Sequence, residues 1–539
     1  MKAGRRCLGV ALGVGALVGG WLFPRWAAAQ EQALSPEVGH AEMLKLRAEA
    51  VAAAAARPIP SLSLQSDLTT PEERRQAIDA VWGDGLPTAD KLALFDKFWK
   101  YADEKFAAFQ GIVVDWAALR SRYRSEIEAG VSRGRFAAIM NQLVLALRDS
   151  HTQAFDRLVN IFSIPERGVP LLALSGWTVT TSGTCETALA DGSSLVYSAM
   201  AGHPLGLEPG DRILGYDGKP WRQAYQELLA EEIPLWPLWW GSSPSSFDHS
   251  FVMAAGMNWH LFDTMDIAKH GSQQVVHVPT ALMPGAIFYG FCSEQLDVAG
   301  VSKPANYFGG DYVGSGIVAG RRIGYIYVWS WDGNAGEAFA QAVHELTQVE
   351  LVDGLIIDFR FNDGGALNAP RLGLAELFDH PVPTLGYDER KKPEDHLKMQ
   401  RLFNPSEFKM DFDADGNRIK VSFNGPIAVL VGPGALSAGD LGSFWASFLP
   451  HSRTFGKSTS AAFTLPTQPL LGSSLDLNPG WKTRVGEANA FEVGAPHDYL
   501  THKEFPVDEP VWLEPDDVAV GRDTVVEAAL RWIQQQIDE

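Results

Sequence analysis

Ile427-Ala428-Val429-Leu430-Val431 runs into Gly432-Pro433-Gly434-Ala435-Leu436-Ser437-Ala438-Gly439-Asp440, and an apolar-rich stretch follows from Leu441 to Leu449. An unbroken apolar run closed by glycine and proline predicts a buried strand, then a tight turn and a helix start. Ser437 stands where the helix begins. Ser-x-x-Asp is the spacing of a capping box, in which the serine satisfies orphan amides of the first helical turn. The same position also suits an acyl-transfer nucleophile, because backbone N–H groups and the positive helix end lie beside the hydroxyl. Taken alone the spacing favours the cap; the rest of the chain reverses that preference.

Working outward, the region from about Val313 to the end alternates strand and helix patterns. Ile323–Val328 and Leu355–Phe359 read as strands, Ala335–Glu350 and Pro370–Phe378 as helices. This predicts an α/β layer with a mixed or partly parallel sheet, whose ligands sit at the carboxyl ends of the strands. Two turns at such ends carry chemistry: Arg360-Phe361-Asn362-Asp363-Gly364-Gly365 and the Ser437 turn. Towards the amino end, Thr70-Pro71-Glu72-Glu73 reads as a helix start. Leu94, Phe95, Phe98, Trp99 and Ala102, then Phe136, Ile139, Met140, Leu143, Val144 and Leu147, recur at helical spacing and predict core stripes. That helical block ends at Arg148-Asp149-Ser150-His151-Thr152.

Lys2, Arg5 and Arg6, the apolar stretch Leu8 to Phe23 and Ala27-Ala28-Ala29 together read as a secretory signal, residues 1–29, predicting an exported, periplasmic or secreted protein with no integral membrane segment after cleavage. Residues 30–66 are Ala- and Pro-rich and read as a flexible lead-in. A formal charge of −20 argues against a nucleic-acid partner. Beyond Cys7, Cys185 and Cys292 remain; they lack metal-ligand spacing and could form a disulfide in an oxidising compartment. Asp411-x-Asp413-x-Asp415-Gly416 has the start of a calcium loop, but Ser422 occupies the position of the bidentate acid, so an acidic turn is the better reading. Neither a metal nor another cofactor is implied. Pro234-Leu235-Trp236-Pro237-Leu238-Trp239-Trp240 reads as core or seam packing rather than a ligand pocket.

Two resemblances organise these pieces. Gly202-His203-Pro204-Leu205-Gly206-Leu207-Glu208-Pro209-Gly210-Asp211-Arg212-Ile213-Leu214-Gly215-Tyr216-Asp217-Gly218 resembles the latter part of a PDZ domain of bacterial proteases, a module that binds peptide C-termini by strand addition. Ile357-Asp358-Phe359-Arg360-Phe361-Asn362-Asp363-Gly364-Gly365 resembles the Asp-x-Arg-x-Asn-x-Gly-Gly motif of the C-terminal processing (tail-specific) peptidases, a superfamily that includes the tricorn core protease and the interphotoreceptor retinoid-binding modules. Ser437-Ala438-Gly439-Asp440 matches its Ser-x-x-Glu, with Asp in place of Glu. Asp149-Ser150-His151-Thr152 matches the Asp-x-His-Thr of the tricorn-like branch, and Glu509 to Asp516 its C-terminal motif, with Trp512 where glycine is usual.

The resemblance implies an α/β, ClpP/crotonase-like catalytic core with a mixed sheet over residues 286–539, a PDZ-like β-rich domain over 166–285 and a helical segment over 67–165. It implies a serine endopeptidase acting on a peptide or protein, with oligomeric state left open. Aligned without gaps from Ser437, the lysine of the processing-peptidase dyad falls on Ala462, whereas Gly456-Lys457-Ser458-Thr459-Ser460 fits the lysine-free pattern of the tricorn-like branch. The implied machinery is Ser437 as nucleophile, His151 as base, Ser150 and Glu509 as its support, and Ala438 with Gly364 or Gly365 as oxyanion donors. Arg360 and Asn362 are expected to hold the glycine turn. A Ser437–Lys457 dyad, a catalytically silent ligand-binding member of the fold and an esterase are the alternatives; a lysine outside the dyad is expected to be a solvated one.

Overall fold

The computed structural model describes residues 70–156, 159, 172–173, 181–236, 240–272, 274–287, 292–378, 382–383, 385–404, 407–408, 423–466, 481–493 and 498–539. The expected signal and lead-in, the Asp411–Asp415 turn and Pro237-Leu238-Trp239 lie outside these residues.

A six-stranded sheet carries the Ser437 turn. Its spatial order is Val313–Ile317, Ile323–Val328, Gly354–Asp358, Ile427–Val431, Ser452–Gly456 and Glu509–Pro510; the first pair is antiparallel and every later pair parallel. The expectation of a mixed α/β core is met. Both faces are covered, which is why its strands read as unbroken apolar runs rather than alternating ones. Ile357, Val429 and Val431 face one core with Phe339, Phe359 and Leu441. Ile356, Ala428 and Leu430 face the other, against Val525, Ala529 and Ile533 of the helix Thr524–Asp538.

The helix expected over Ala335–Glu350 is α-helical over Ala335–His344 and widens to a π-turn over Glu345–Val349. The one expected over Pro370–Phe378 runs only over Ala369–Leu374. Towards the amino end, Thr70 caps Pro71–Trp82 with a reciprocal Glu73 box. Thr88–Lys105 and Arg133–Leu147 bury the predicted stripes, except that Trp99 stays partly exposed. Leu235–Trp236 pairs in parallel with Leu172–Ala173, and Trp240 is buried.

A second sheet, in the order Thr184–Ala188, Ser194–Ala199, Arg212–Tyr216, Thr264–Ala268 and Val275–Pro279, is antiparallel throughout. A disulfide joins Cys185 of its first strand to Cys292, the pairing that composition left open, across a sequence separation of 107. Closing a loop of that length removes denatured-state entropy worth about 4–5 kcal/mol in the chain-entropy account.

Glu186, on the same strand, is buried and accepts from Ser182 Oγ at 2.9 Å and from the Thr184 hydroxyl. Burial pushes its pKa up to about 7, against those two donors. A carboxyl whose folded pKa lies above its unfolded value contributes stability that is complete below the unfolded pKa and is lost as pH rises through the folded one. Thermal melts of the protein and of Glu186→Gln should therefore diverge between pH 5 and 8. The unsubstituted protein is expected to lose about 2–3 kcal/mol relative to the variant over that range. Parallel melting curves would mean that Glu186 is ionised throughout.

Candidate active site

Ser437 precedes the helix Ala438–Ala446 and holds φ 59°, ψ −115°, a left-handed value that non-glycine residues adopt at a cost. The strain is held in place by amides. Asp440 Oδ2 accepts the Ser437 N–H at 2.7 Å and the Ala462 N–H at 3.1 Å, and Asp440 Oδ1 accepts the Ala461 N–H at 2.7 Å. The buried carboxylate thus ties the serine turn to the segment after the strand Ser452–Gly456. Burial pushes its pKa up to about 7, while three amide donors favour the ionised form. Half-buried Ser437 forms a reciprocal capping box with Asp440: its side chain faces the Asp440 amide, and the Asp440 carboxylate accepts the Ser437 N–H.

The glycine turn lies against this serine. Gly364 has φ 102°, and a Cβ there would stand 2.9 Å from both Leu436 O and Ser437 Cβ, so only glycine fits. Asn362 closes the turn: its Oδ1 accepts the Gly364 N–H at 3.2 Å, its Nδ2 donates to Val328 O at 3.1 Å and its carbonyl accepts the Leu436 N–H at 2.8 Å. Gly439 packs so closely on Asn362 that a Cβ would come within 2.1 Å of its carbonyl. Since Asn362 occupies the Gly364 N–H, Gly365 and Ala438 are the better-placed amide donors of the predicted set. Arg360 is fully buried between Asp358 and Asp523, a holder of the turn as expected.

The helical segment reaches the same region. Ser150 N–H donates to Ser242 Oγ at 3.3 Å; Ser242 N–H donates to Ser460 O at 2.6 Å; Ser460 N–H donates to Ala435 O at 2.9 Å, two residues before Ser437. The Ser150 hydroxyl is buried without a partner among the described residues. His151 is buried, its Nδ1 3.2 Å from Thr464 Oγ1, two residues beyond the Asp440-bound Ala462. Burial and the nearby Arg484 guanidinium hold its pKa down to about 3, so the imidazole is neutral.

Two predicted groups face elsewhere. Glu509 pairs by backbone with Phe455, and its carboxylate stands 3.5 Å from Arg453 Nη2 at 39% exposure; no hydrogen bond joins it to Ser150 or His151. Lys457 is not the solvated lysine expected. It is half-buried, with Nζ donating to Ala188 O at 2.6 Å and lying 3.3 Å from His249 Nδ1 and 4.8 Å from the Trp512 ring. His249 Nε2 in turn lies 2.8 Å from Glu294 Oε1. A cavity of about 380 Å³ opens beside Lys457, between Pro433, Ser458 and Phe505 on one wall and Ala188 and His249 on the other.

Residues 322–473, which hold both chemical turns, match Peptidase family S41. The chain carries an S41 peptidase domain. No curated protein matches the sequence. Among solved structures, mature CPAF aligns at a TM-score of 0.56 and 12% identity, over 84% of this chain and 98% of that one. Mature CPAF complexed with lactacystin aligns at 0.55 and 12%, over 84% and 99%. At that identity the likeness is one of fold, and it spans far more than the family match.

Sequence reading missed three residues of the site region. Thr464 sits in Ala461-Ala462-Phe463-Thr464-Leu465, where a lone hydroxyl in an apolar run is a weak signal. Arg484, whose Nε donates to His151 O at 2.8 Å, and His249 beside Lys457 carry no local pattern. Among the described residues no group of His, Cys, Asp and Glu could hold a metal ion.

Proposed function

We propose that this chain is an exported serine endopeptidase in which Ser437 attacks the peptide carbonyl and His151 takes its proton and returns it to the leaving amine. The observation that carries this reading is the Ser437 turn itself. A half-buried serine strained to φ 59° at a helix start lies against a glycine turn whose Gly364 admits no side chain. A mere cap has no need of that strain. A hydroxyl at neutral pH is a weak nucleophile and needs an adjacent base. Neutral His151 would supply one, a role supported by the hydrogen bonds that link its neighbour Ser150 through Ser242 and Ser460 to Ala435. The Ala438 and Gly365 amides would receive the oxyanion, each such donor contributing about 3 kcal/mol to lowering the barrier. The resemblance also implies Ser150 and Glu509 as supports of His151; here the Glu509 carboxylate stands with Arg453.

The antiparallel sheet over 184–279 with its helix Trp221–Ala230 supports a PDZ-like module for substrate C-termini. The Cys185–Cys292 disulfide supports export to an oxidising compartment. A fluorophosphonate probe tests the chemistry. Stoichiometric labelling that maps to Ser437 and disappears in Ser437→Ala is expected, together with cleavage of an unstructured protein substrate. Folded protein that takes up no probe is instead a silent member of the fold; ester turnover without amide turnover makes it an esterase.

A further inference from the structure

We propose that Asp149, acting through the Thr464 hydroxyl, is the acid that sets the His151 tautomer, in place of Glu509; this rests on the serine-peptidase reading above. Asp149 is fully buried and accepts from Thr152 Oγ1 at 2.7 Å, from Thr464 Oγ1 at 2.9 Å and from the His151 N–H at 3.3 Å. Thr152 Oγ1 accepts the Gly486 N–H at 3.0 Å, so its one proton points to Asp149. Burial pushes the Asp149 pKa up, and the three donors oppose that shift and favour the ionised, accepting carboxylate. Thr464 also has one hydroxyl proton, and Asp149 takes it. The Thr464 oxygen that lies 3.2 Å from His151 Nδ1 can then only accept, so the imidazole proton sits on Nδ1.

Nε2 is left with its lone pair, which is the form a general base needs. When Nε2 takes the serine proton, the resulting imidazolium faces the Asp149 charge across one hydroxyl. Arg484, the other charged group beside His151 among the described residues, opposes that charge, so Asp149 is the compensating group. Glu509, at the far edge strand with Arg453, is not hydrogen-bonded to the ring. Asp149 and Thr464 are positioning residues, since neither touches the reacting atoms.

The test uses the full chain, with fluorophosphonate acylation of Ser437 and kcat and KM on a peptide substrate. Thr464→Val should lower the acylation rate and kcat about 100-fold with KM within about twofold, and Thr464→Ser should recover to within about fivefold of the unsubstituted protein. In a His151→Ala background Thr464→Val should cause no further loss, because the relay acts only through the imidazole. Asp149→Asn should lose as much as Thr464→Val. Full activity in Thr464→Val, failure of the serine variant to recover, additive loss with His151→Ala, or a loss in Glu509→Gln equal to that in Asp149→Asn would each overturn the proposal. Imidazole nitrogen shifts of the unsubstituted protein give a readout independent of any variant's folding: protonation at Nδ1 is expected, and at Nε2 overturns it. Failure of the parent reading looks different, since probe uptake would then survive in Ser437→Ala or be absent altogether.

Discussion

Replacing His151 with alanine should slow acylation of Ser437 by about 10⁴-fold or more, whereas Lys457→Ala should stay within about tenfold of the unsubstituted protein. The two residues are the rival bases, and their surroundings separate them. Lys457 has committed its ammonium to Ala188 O and His249 Nδ1 and packs over Trp512, so its side chain links the six-stranded sheet to the 184–279 sheet. Burial lowers its pKa to about 8, yet the amine still carries a proton at neutral pH, which a base must not. His151 is neutral there, and its low pKa means that acidification to pH 5 should leave acylation intact. The measurement is the second-order labelling rate of each variant, with a thermal melt as control for folding. A labelling loss in Lys457→Ala as deep as that in His151→Ala, with an unchanged melt, would restore the lysine dyad.

Arg360→Leu is expected to destabilise the fold by about 3–5 kcal/mol, the cost of leaving buried carboxylates without their partner. Arg360 Nη2 lies 2.7 Å from Asp358 Oδ2 and 2.9 Å from Asp523 Oδ2, and all three side chains are buried. Asp358 also accepts from Tyr325 OH at 2.6 Å. Asp523 caps the helix Thr524–Asp538 through the Val525 and Val526 amides at 3.1 and 3.2 Å and accepts the Leu296 N–H at 3.1 Å. One guanidinium thus joins the glycine turn, the central strand and the C-terminal helix. Urea unfolding should register the loss as a lower midpoint, with Arg360→Lys intermediate because it keeps the charge but not the two-pronged geometry. A change below about 1 kcal/mol would mean that water or rearrangement compensates the two acids.

Sequence by itself determined the elements and their chemical order. The Ile427–Val431 strand, the Thr70 helix start, the helical stripes and the Ser437 helix start depend on residues a few positions apart, and such short-range preferences are written in spacing. The family motifs also survived as words, including the glycine turn that lies against Ser437. Tertiary structure alone decided which polar groups meet. Thr464 reaches His151 and Asp149 from more than three hundred positions away. Asp440, a departure from the motif when read in sequence, gathers amides from Ser437, Ala461 and Ala462. Glu509, matched by its motif, turns to Arg453, and Lys457 turns to the neighbouring sheet. The physical reason is that a buried hydrogen-bonding group needs a partner within about 3 Å and at the right angle. Strand register and helix packing set that geometry, and spacing along the chain does not encode it.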